Sequence, residues 1–205
     1  MYQLYYSPNA CSLATQVVLQ ELGQPVEIID KREVTHFKAI NPTGAVPALK
    51  DDGVVLVEGA AIMFYLLSQH ASPMFPEEAD ARVRALEDIM FANATMHPAY
   101  SKLFFIASLA IDEQAKHTAL KAAAEGVSAL WAIVEQRLAA QTYFGGADYS
   151  AADIMLAVYS RWGQYFPVDI VQGERTREWL DTILSLESFQ RAIANETKYS
   201  AKFTA

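Results

Sequence analysis

Tyr2-Gln-Leu-Tyr-Tyr-Ser-Pro-Asn-Ala-Cys-Ser-Leu13 opens the chain and carries its single cysteine, Cys11. The apolar residues 2–6 predict a β-strand, Ser7-Pro-Asn9 predicts the turn that ends it, and helical spacing begins at Leu13. The cysteine therefore stands at a helix start, beside backbone N–H groups whose partial positive charge favours a thiolate over a thiol. A lone cysteine is more often a buried structural residue, so its position leaves both roles open.

The residues that follow continue a mixture of strand and helix signals. In chain order, they predict a strand at 2–6, a helix at 12–22, a strand at 26–29, a polar stretch at 31–38, strands at 46–49 and 54–57, and a helix at 60–69. Asp51-Asp-Gly53 between the last two strands is a strong hairpin signal. Because only these two strands have a tight antiparallel connection, the order predicts an α/β domain with a mixed four-stranded sheet.

The remainder of the chain has only helical patterns. Ser72-Pro-Met-Phe-Pro76 contains two prolines and predicts a linker. Beyond it, residues 79–110 read as a long helix that Pro98 should kink or break, and 113–140, 154–162 and 175–195 predict further helices. We therefore predict an α/β domain at residues 1–71, a linker at 72–78 and an all-helical domain at 79–205.

Tyr149-Ser-Ala-Ala-Asp-Ile154 is the clearest helix start in the second half. Ser150 is placed as the N-cap, and Asp153 is the acidic residue three positions later that completes a capping box. We interpret this pair as structural and not as a catalytic Ser/Asp pair, because no histidine lies near it in the sequence.

The composition excludes several classes of protein. The chain has 205 residues, of which 52% are hydrophobic and 20% charged, as in folded globular domains. A net charge of -8 without a Lys/Arg cluster argues against nucleic-acid or anionic-membrane partners. No apolar stretch approaches the roughly 20 residues of a bilayer span. One cysteine and an N-terminus without signal-peptide features predict a cytoplasmic location.

Two further segments suit the binding of a short peptide. In Asn41-Pro-Thr-Gly-Ala-Val-Pro-Ala-Leu49, a cis Val46–Pro47 bond would turn the Val46 N–H and C=O outward to pair with an extended peptide; an ordinary trans loop proline is the alternative. Glu58-Gly59 precedes a helix whose N–H groups suit a carboxylate, while the Glu58 side chain suits an α-ammonium. Capping of the helix by Glu58 is the alternative there. With the Cys11 thiol, these segments would complete a site for a cysteine-containing peptide.

These segments resemble the glutathione transferases, specifically their bacterial cysteine-containing, beta-like class. The motifs that carry the resemblance are Tyr5-Tyr-Ser-Pro-Asn-Ala-Cys-Ser-Leu13, Asn41-Pro-Thr-Gly-Ala-Val-Pro-Ala-Leu49, Glu58-Gly-Ala-Ala-Ile-Met-Phe-Tyr-Leu66 and Tyr143-Phe-Gly-Gly-Ala-Asp-Tyr-Ser-Ala-Ala-Asp153. The resemblance spans the chain and implies a thioredoxin-like N-terminal domain, an all-helical C-terminal domain and a homodimer. It implies an enzyme that uses glutathione as co-substrate, without a metal, and promotes attack of its thiolate on small hydrophobic electrophiles in detoxification.

The resemblance also implies which residues bind glutathione. Val46 would pair its backbone with the cysteinyl unit next to Pro47, and Glu58 with the Gly59 N–H would hold the γ-glutamyl end. Lys31 would reach the glycine carboxylate, with Lys38 or His36 as alternatives. The histidines show no spacing typical of metal ligands.

Four residues are candidates for the chemistry. Cys11 would face the glutathione sulfur, through a hydrogen bond or a mixed disulfide, and Ser12 or Tyr6 is a rival activator of that sulfur. His97 would face the thiol from the helical domain as a proton acceptor or electrostatic partner. The electrophile pocket should lie between the domains, with four aromatic residues as walls or as ordinary core residues: Tyr100, Phe104, Trp162 and Tyr165.

Two other functions are compatible with this set of residues. One is a glutathione-dependent disulfide reductase, which would use a monothiol route through Cys11 because the chain lacks a Cys-x-x-Cys pair. The other is a non-catalytic protein that binds glutathione or a hydrophobic ligand, or a regulatory protein, because a fold does not dictate a function.

Overall fold

The computed structural model describes residues 1–200 and 202 of the chain. The strands are β1 (Tyr2–Tyr6), β2 (Val26–Asp30), β3 (Ala48–Asp51) and β4 (Val54–Val57). The α-helices are α1 (Ser12–Glu21), α2 (Gly59–Gln69), α3 (Ala79–Met90), α4 (His97–Ser108), α5 (Glu113–Leu138), α6 (Ala151–Ser160), α7 (Glu174–Leu184) and α8 (Glu187–Ser200). The predicted α/β half and helical half are both confirmed. In the polar stretch after β2, the chain forms two short 3₁₀ turns, at Lys31–Glu33 and Phe37–Ala39.

The four strands form one mixed sheet in the order β2-β1-β3-β4. β1 pairs with β2 in parallel, whereas β1 with β3 and β3 with β4 are antiparallel. Because strand side chains alternate between faces, β1 contributes to two apolar clusters. Leu4 packs with residues of α1 and α2, and Tyr5 packs with Phe37 and Ala48. The sheet is therefore covered on both faces, as expected of a small α/β domain.

The chain divides into two compact units. The first comprises residues 1–86 and 184–205, and the second comprises residues 87–183. The last helix joins the first unit because α8 packs against α1. In this division α8 belongs with the sheet. The division into a domain at 1–71, a linker at 72–78 and a domain at 79–205 stays a prediction. None of the helices among the described residues is long and apolar enough to cross a membrane.

The interruption expected at Pro98 takes the form of a π-helical turn. Residues Phe91–Met96 form this turn between α3 and α4, and the His97 N–H donates to the Ala92 carbonyl five residues earlier. Pro98 then lies in the first turn of α4, where the missing N–H of proline costs least. The helical segment continues with one wide turn in place of a break.

A partly buried ion pair and a buried hydrogen bond join helices in the second unit. Arg137 of α5 donates to both oxygens of Asp88 in α3, at 2.6 and 2.7 Å. The Trp131 indole N–H donates to the hydroxyl of fully buried Tyr100 at 2.9 Å. The guanidinium of Arg137 pairs with the Asp88 carboxylate, and the Trp131 N–H pairs with the Tyr100 hydroxyl. Each group therefore has a hydrogen-bond partner, without which its burial would be costly.

Gly173 allows a close contact at the start of α7. The Glu135 carboxylate accepts from the Thr176 N–H and hydroxyl, both at 2.8 Å, and so caps α7 from the side of α5. A Cβ on Gly173 would overlap the carboxyl carbon of Glu135. We expect G173A to lower the free energy of unfolding by about 2–3 kcal/mol.

Denaturant unfolding of the two matched glycine-to-alanine variants checks this prediction. Gly126 lies within α5, and a Cβ there meets no atom within 4 Å. G126A should therefore raise the free energy of unfolding by about 0.5–1 kcal/mol, since alanine favours helix over glycine. Equal effects of the two substitutions would contradict the close-contact assignment.

Candidate functional site

The register of the sheet brings four chain segments to one edge. Tyr5 in β1 pairs with Ala48 in β3, and Ala48 pairs with Val57 in β4. Tyr6 at the end of β1 pairs with Asp30 at the end of β2. The loops that follow β1, β2 and β4, and the loop that precedes β3, therefore all leave the same edge. Cys11 follows β1, Lys31 follows β2, Glu58 follows β4 and Val46 precedes β3, so all four residues lie at this edge.

Cys11 lies in this edge as the N-cap residue of α1. Its side chain is partly exposed, and its Sγ donates to the Val46 carbonyl oxygen at 3.2 Å. The Val46–Pro47 bond is cis, as one of the two alternatives for this loop predicted. The sequence expected the Val46 carbonyl to face a peptide; in the structure this carbonyl already accepts from the thiol.

Burial and the helix start act in opposite directions on the protonation of Cys11, whose role its position in the sequence left open. Backbone N–H groups at Cys11 and Ser12 favour the thiolate, as expected at a helix start, but burial is the larger effect. Burial raises the pKa of the Cys11 thiol to about 11, and the negative charge of Glu58 raises it further. Cys11 is therefore a protonated thiol at neutral pH and a hydrogen-bond donor.

The loop before Pro47 is held by Asn41, a residue that the sequence analysis did not select. The buried Asn41 side chain donates to the Ala45 carbonyl at 2.8 Å and accepts from the Thr43 N–H and hydroxyl at 3.2 and 2.9 Å. Asn-Pro-Thr-Gly is a turn signal, so this arrangement could have been recognised. The Val46 N–H has no acceptor among the described residues, and so this loop presents a free donor beside the thiol.

Lys31 and Lys38 both approach this loop at Gly44. The Lys31 Nζ donates to the Gly44 carbonyl at 3.2 Å, and the aliphatic stem of Lys38 lies on the side of Gly44 where a Cβ would be. His36, the third candidate for this role, is exposed and precedes the turn that contains Lys38. Two ammonium groups near one glycine form a cationic end to the site, suited to a carboxylate.

Glu58 has a strained backbone at the N-cap of α2. Its φ of 73° and ψ of 116° lie where residues with a Cβ rarely occur. Its side chain is exposed and makes no capping hydrogen bond, so the capping alternative is wrong. The first N–H groups of α2, beginning with Gly59, are therefore left without a side-chain acceptor from Glu58. The Glu58 carboxylate and the uncapped start of α2 can together hold a zwitterion. Its ammonium would bind the Glu58 carboxylate, and its carboxylate would bind the first N–H groups of α2.

Ser12 and Tyr6 are both buried away from solvent. The Ser12 hydroxyl donates to the Ser7 carbonyl and accepts from the Ser7 N–H, both at 3.4 Å, and so closes the loop between β1 and α1. Both side chains have no exposed surface. Neither hydroxyl is open to a ligand in this conformation, which leaves Cys11 as the accessible donor of the three residues.

His97 belongs to the second unit and is described within it. Its ring lies edge-on to Tyr159 and Trp162, each with centroids 5.2 Å away, and its Nδ1 is 3.3 Å from the Ser101 hydroxyl. Burial lowers the pKa of His97, so the imidazole is neutral at pH 7.

The aromatic residues around His97 divide into buried and exposed members. Tyr100 and Trp162 are core residues, whereas Phe104 and Tyr165 remain 41% and 48% exposed. Their exposed rings contact each other at 6.2 Å between centroids. Two of the four predicted pocket walls are therefore core, and two present an apolar surface. Among the described residues no cluster of His, Cys, Asp or Glu has the arrangement of a metal site.

Comparison with known proteins places this arrangement in a family. The family model for the "Glutathione S-transferase, N-terminal domain" matches residues 1–74, and that for the "Glutathione S-transferase, C-terminal domain" matches residues 93–187. A sphingomonad glutathione S-transferase solved with glutathione is 31% identical, with a TM-score of 0.83 over 95% of this chain and 98% of that chain. The chain belongs to the glutathione S-transferase family.

Bacterial members of the glutathione S-transferase family, including a beta-class enzyme, are among its relatives. The beta-class glutathione S-transferase of Sphingomonas chungbukensis is 26% identical, with a TM-score of 0.82 over 95% of this chain and 98% of that chain. Glutathione S-transferase GstB of Escherichia coli strain K12 is 31% identical over 152 residues, which cover 70% of this chain and 73% of GstB. The resemblance drawn from the sequence motifs is thus confirmed, as is the fold that it implies.

Proposed function

We propose that this chain is a glutathione transferase that holds glutathione along the sheet edge and promotes attack of its sulfur on an electrophile. The observation that carries the proposal is the grouping of three complementary elements at that edge. They are the Cys11 thiol, the free Val46 N–H, and the uncapped start of α2 beside Glu58. Each matches one part of a γ-glutamyl-cysteinyl-glycine peptide.

The charges at the edge support one orientation of glutathione. The γ-glutamyl zwitterion would lie at Glu58 and the Gly59 N–H, and the cysteinyl unit would pair with the Val46 N–H beside Pro47. The glycine carboxylate would then lie toward Lys31 and Lys38, which approach Gly44. The sulfur of glutathione would face Cys11.

On glutathione binding, the single Cys11 proton would turn from the Val46 carbonyl to that sulfur, so that Cys11 acts as its hydrogen-bond donor. A thiol whose pKa is raised to about 11 keeps its proton at pH 7, and it can share this proton with a neighbouring thiolate. Such donation stabilises the glutathione thiolate and lowers the pKa of its thiol. The same raised pKa argues against the reductase alternative, since a Cys11 thiolate is the species that would attack a disulfide.

The remaining parts of the proposal concern the electrophile and the assembly. We propose a small hydrophobic electrophile, supported by the exposed rings of Phe104 and Tyr165 and by the contact of both His97 and Phe104 with Trp162. A homodimer is supported by exposed apolar side chains of the first unit, Val55 and Phe64 among them. A cytoplasmic location and a role in detoxification rest on the single cysteine and on the family.

Calorimetric titration with glutathione tests the proposal on Glu58. We expect E58Q to weaken glutathione binding about tenfold, since a charge-assisted hydrogen bond contributes about 1.5–3 kcal/mol. E58G should weaken binding similarly but raise the free energy of unfolding by about 1 kcal/mol, because glycine relieves the strain at φ 73°.

Asp52 provides the matched control. It also has a positive φ, 42°, but lies exposed in the hairpin turn between β3 and β4. D52G should change stability without changing glutathione affinity. Unchanged glutathione affinity in E58Q would contradict the proposal that Glu58 holds the γ-glutamyl ammonium. Failure of the wild type to bind glutathione would overturn the proposed function.

A further inference from the structure

Glu196 of α8 is a buried carboxylate that reaches the loop before Cys11. Glu196 is only 4% exposed. One oxygen, Oε2, accepts from the Asn9 N–H at 2.9 Å, and the other, Oε1, accepts from the Gln16 amide at 2.8 Å. Asn9 lies 187 residues earlier in the chain, and Gln16 lies 180 residues earlier.

The two donors stand on either side of Cys11. Asn9 is in the turn between β1 and α1 and has a left-handed φ of 59°, while Gln16 lies in the second turn of α1 and is 1% exposed. The Glu196 carboxylate supplies the Asn9 N–H with a protein acceptor from the far end of the chain. The two ends of one carboxylate therefore tie the turn to the helix that carries the cysteine.

We propose that Glu196 is a positioning residue for Cys11: it holds the β1–α1 turn so that the thiol points at the Val46 carbonyl. Glu196 acts through its hydrogen bonds to Asn9 and Gln16, which flank Cys11 in the chain. The inference extends the proposed function, because a misplaced thiol could not face the sulfur of glutathione. The restraint on the turn, however, holds whether or not glutathione is the substrate.

Substitution of Glu196 gives a graded test. E196A removes both acceptors, and we expect the freed turn to let Cys11 leave its contact with the Val46 carbonyl and react with iodoacetamide roughly tenfold faster at pH 8. E196Q should stay within about twofold of the wild type. Its introduced amide retains one acceptor for Asn9. Once the Gln16 side-chain amide turns over, the introduced NH₂ can donate to Gln16 Oε1, which has no partner among the described residues.

Phe189 supplies a control for simple loss of stability. It is fully buried on the same helix, and it makes no hydrogen bond to the turn. F189L should lower stability by about 1 kcal/mol yet leave the alkylation rate of Cys11 unchanged. Equal rates in E196A and the wild type, or an equal acceleration in F189L, would overturn the positioning role.

Hydrogen exchange of the wild type tests the contact without any substitution. The Asn9 amide should exchange slowly, because the buried Glu196 carboxylate holds it. Rapid exchange of this amide would contradict the proposal even if E196A fails to fold. Neither measurement contains glutathione, so an absence of glutathione binding would overturn the proposed function while leaving this inference standing.

Discussion

Replacing Asp153 by alanine is expected to lower the free energy of unfolding by roughly 3–5 kcal/mol. Asp153 has no exposed surface, and its carboxylate accepts five hydrogen bonds. The donors are the N–H groups of Phe144 (2.7 Å), Gly145 (3.0 Å) and Ser150 (2.9 Å), the Ser150 hydroxyl (2.6 Å) and the Trp179 indole (2.9 Å). Alanine would leave these buried donors without an acceptor, which costs about 1–3 kcal/mol for each one that cannot find water.

Two further substitutions calibrate the effect in denaturant unfolding. S150A removes the cap but leaves the carboxylate and its other donors in place, so it should cost about 1 kcal/mol. D148A changes an exposed acidic residue a few positions away and should alter stability by less than about 0.5 kcal/mol. If the free energies of unfolding of D153A and D148A differed by less than about 1 kcal/mol, the hydrogen bonds to Asp153 would not be a main source of stability in the second unit.

Cys11 is expected to react with iodoacetamide as a thiol of unusually high pKa. Burial raises its pKa to about 11 from an ordinary value of 9.0, a difference of two units, so its thiolate fraction at pH 8 is about a hundredfold smaller. The more basic thiolate is intrinsically more nucleophilic, which recovers about tenfold of that loss. The folded protein should therefore be alkylated about tenfold more slowly than its unfolded chain.

The pH dependence of alkylation separates this effect from simple shielding. For the folded protein, the rate should still rise about tenfold per pH unit between pH 9 and 10, where an ordinary thiol levels off. Since the chain has one cysteine, the same protein unfolded in urea serves as the reference for an ordinary thiol. Levelling near pH 9 in the folded protein would contradict the donor role proposed for Cys11.

Local signals in the sequence predicted much of the fold and part of the site. The hairpin at Asp51-Asp-Gly53 and the capping box of Ser150 and Asp153 are both present, because each depends on residues within a few positions. The cis bond at Val46–Pro47 was one of two alternatives that a proline before a strand allows. In each case the interacting groups are close in sequence, so the pattern of residue types carries the information.

The protonation of Cys11 stayed open in the sequence for the opposite reason. The helix-start N–H groups lower its pKa as the pattern indicated, but the burial that outweighs them comes from the packed fold. The thiol proton points at Val46, 35 residues away, and the turn before it is held by Glu196, 187 residues from Asn9. No periodicity or short motif reports contacts at such separations.

The sequence by itself determined the mixed sheet followed by helices, and the family. These follow from hydrophobic periodicity, turn residues and motifs, which act over a few residues. Only the tertiary structure decided that Cys11 is a protonated donor and that the Ser12 hydroxyl bonds to its own loop. It also decided that the Glu58 backbone is strained and that its side chain does not cap α2. Desolvation and long-range hydrogen bonds set these properties, because both depend on which distant residues surround a group once the chain has packed.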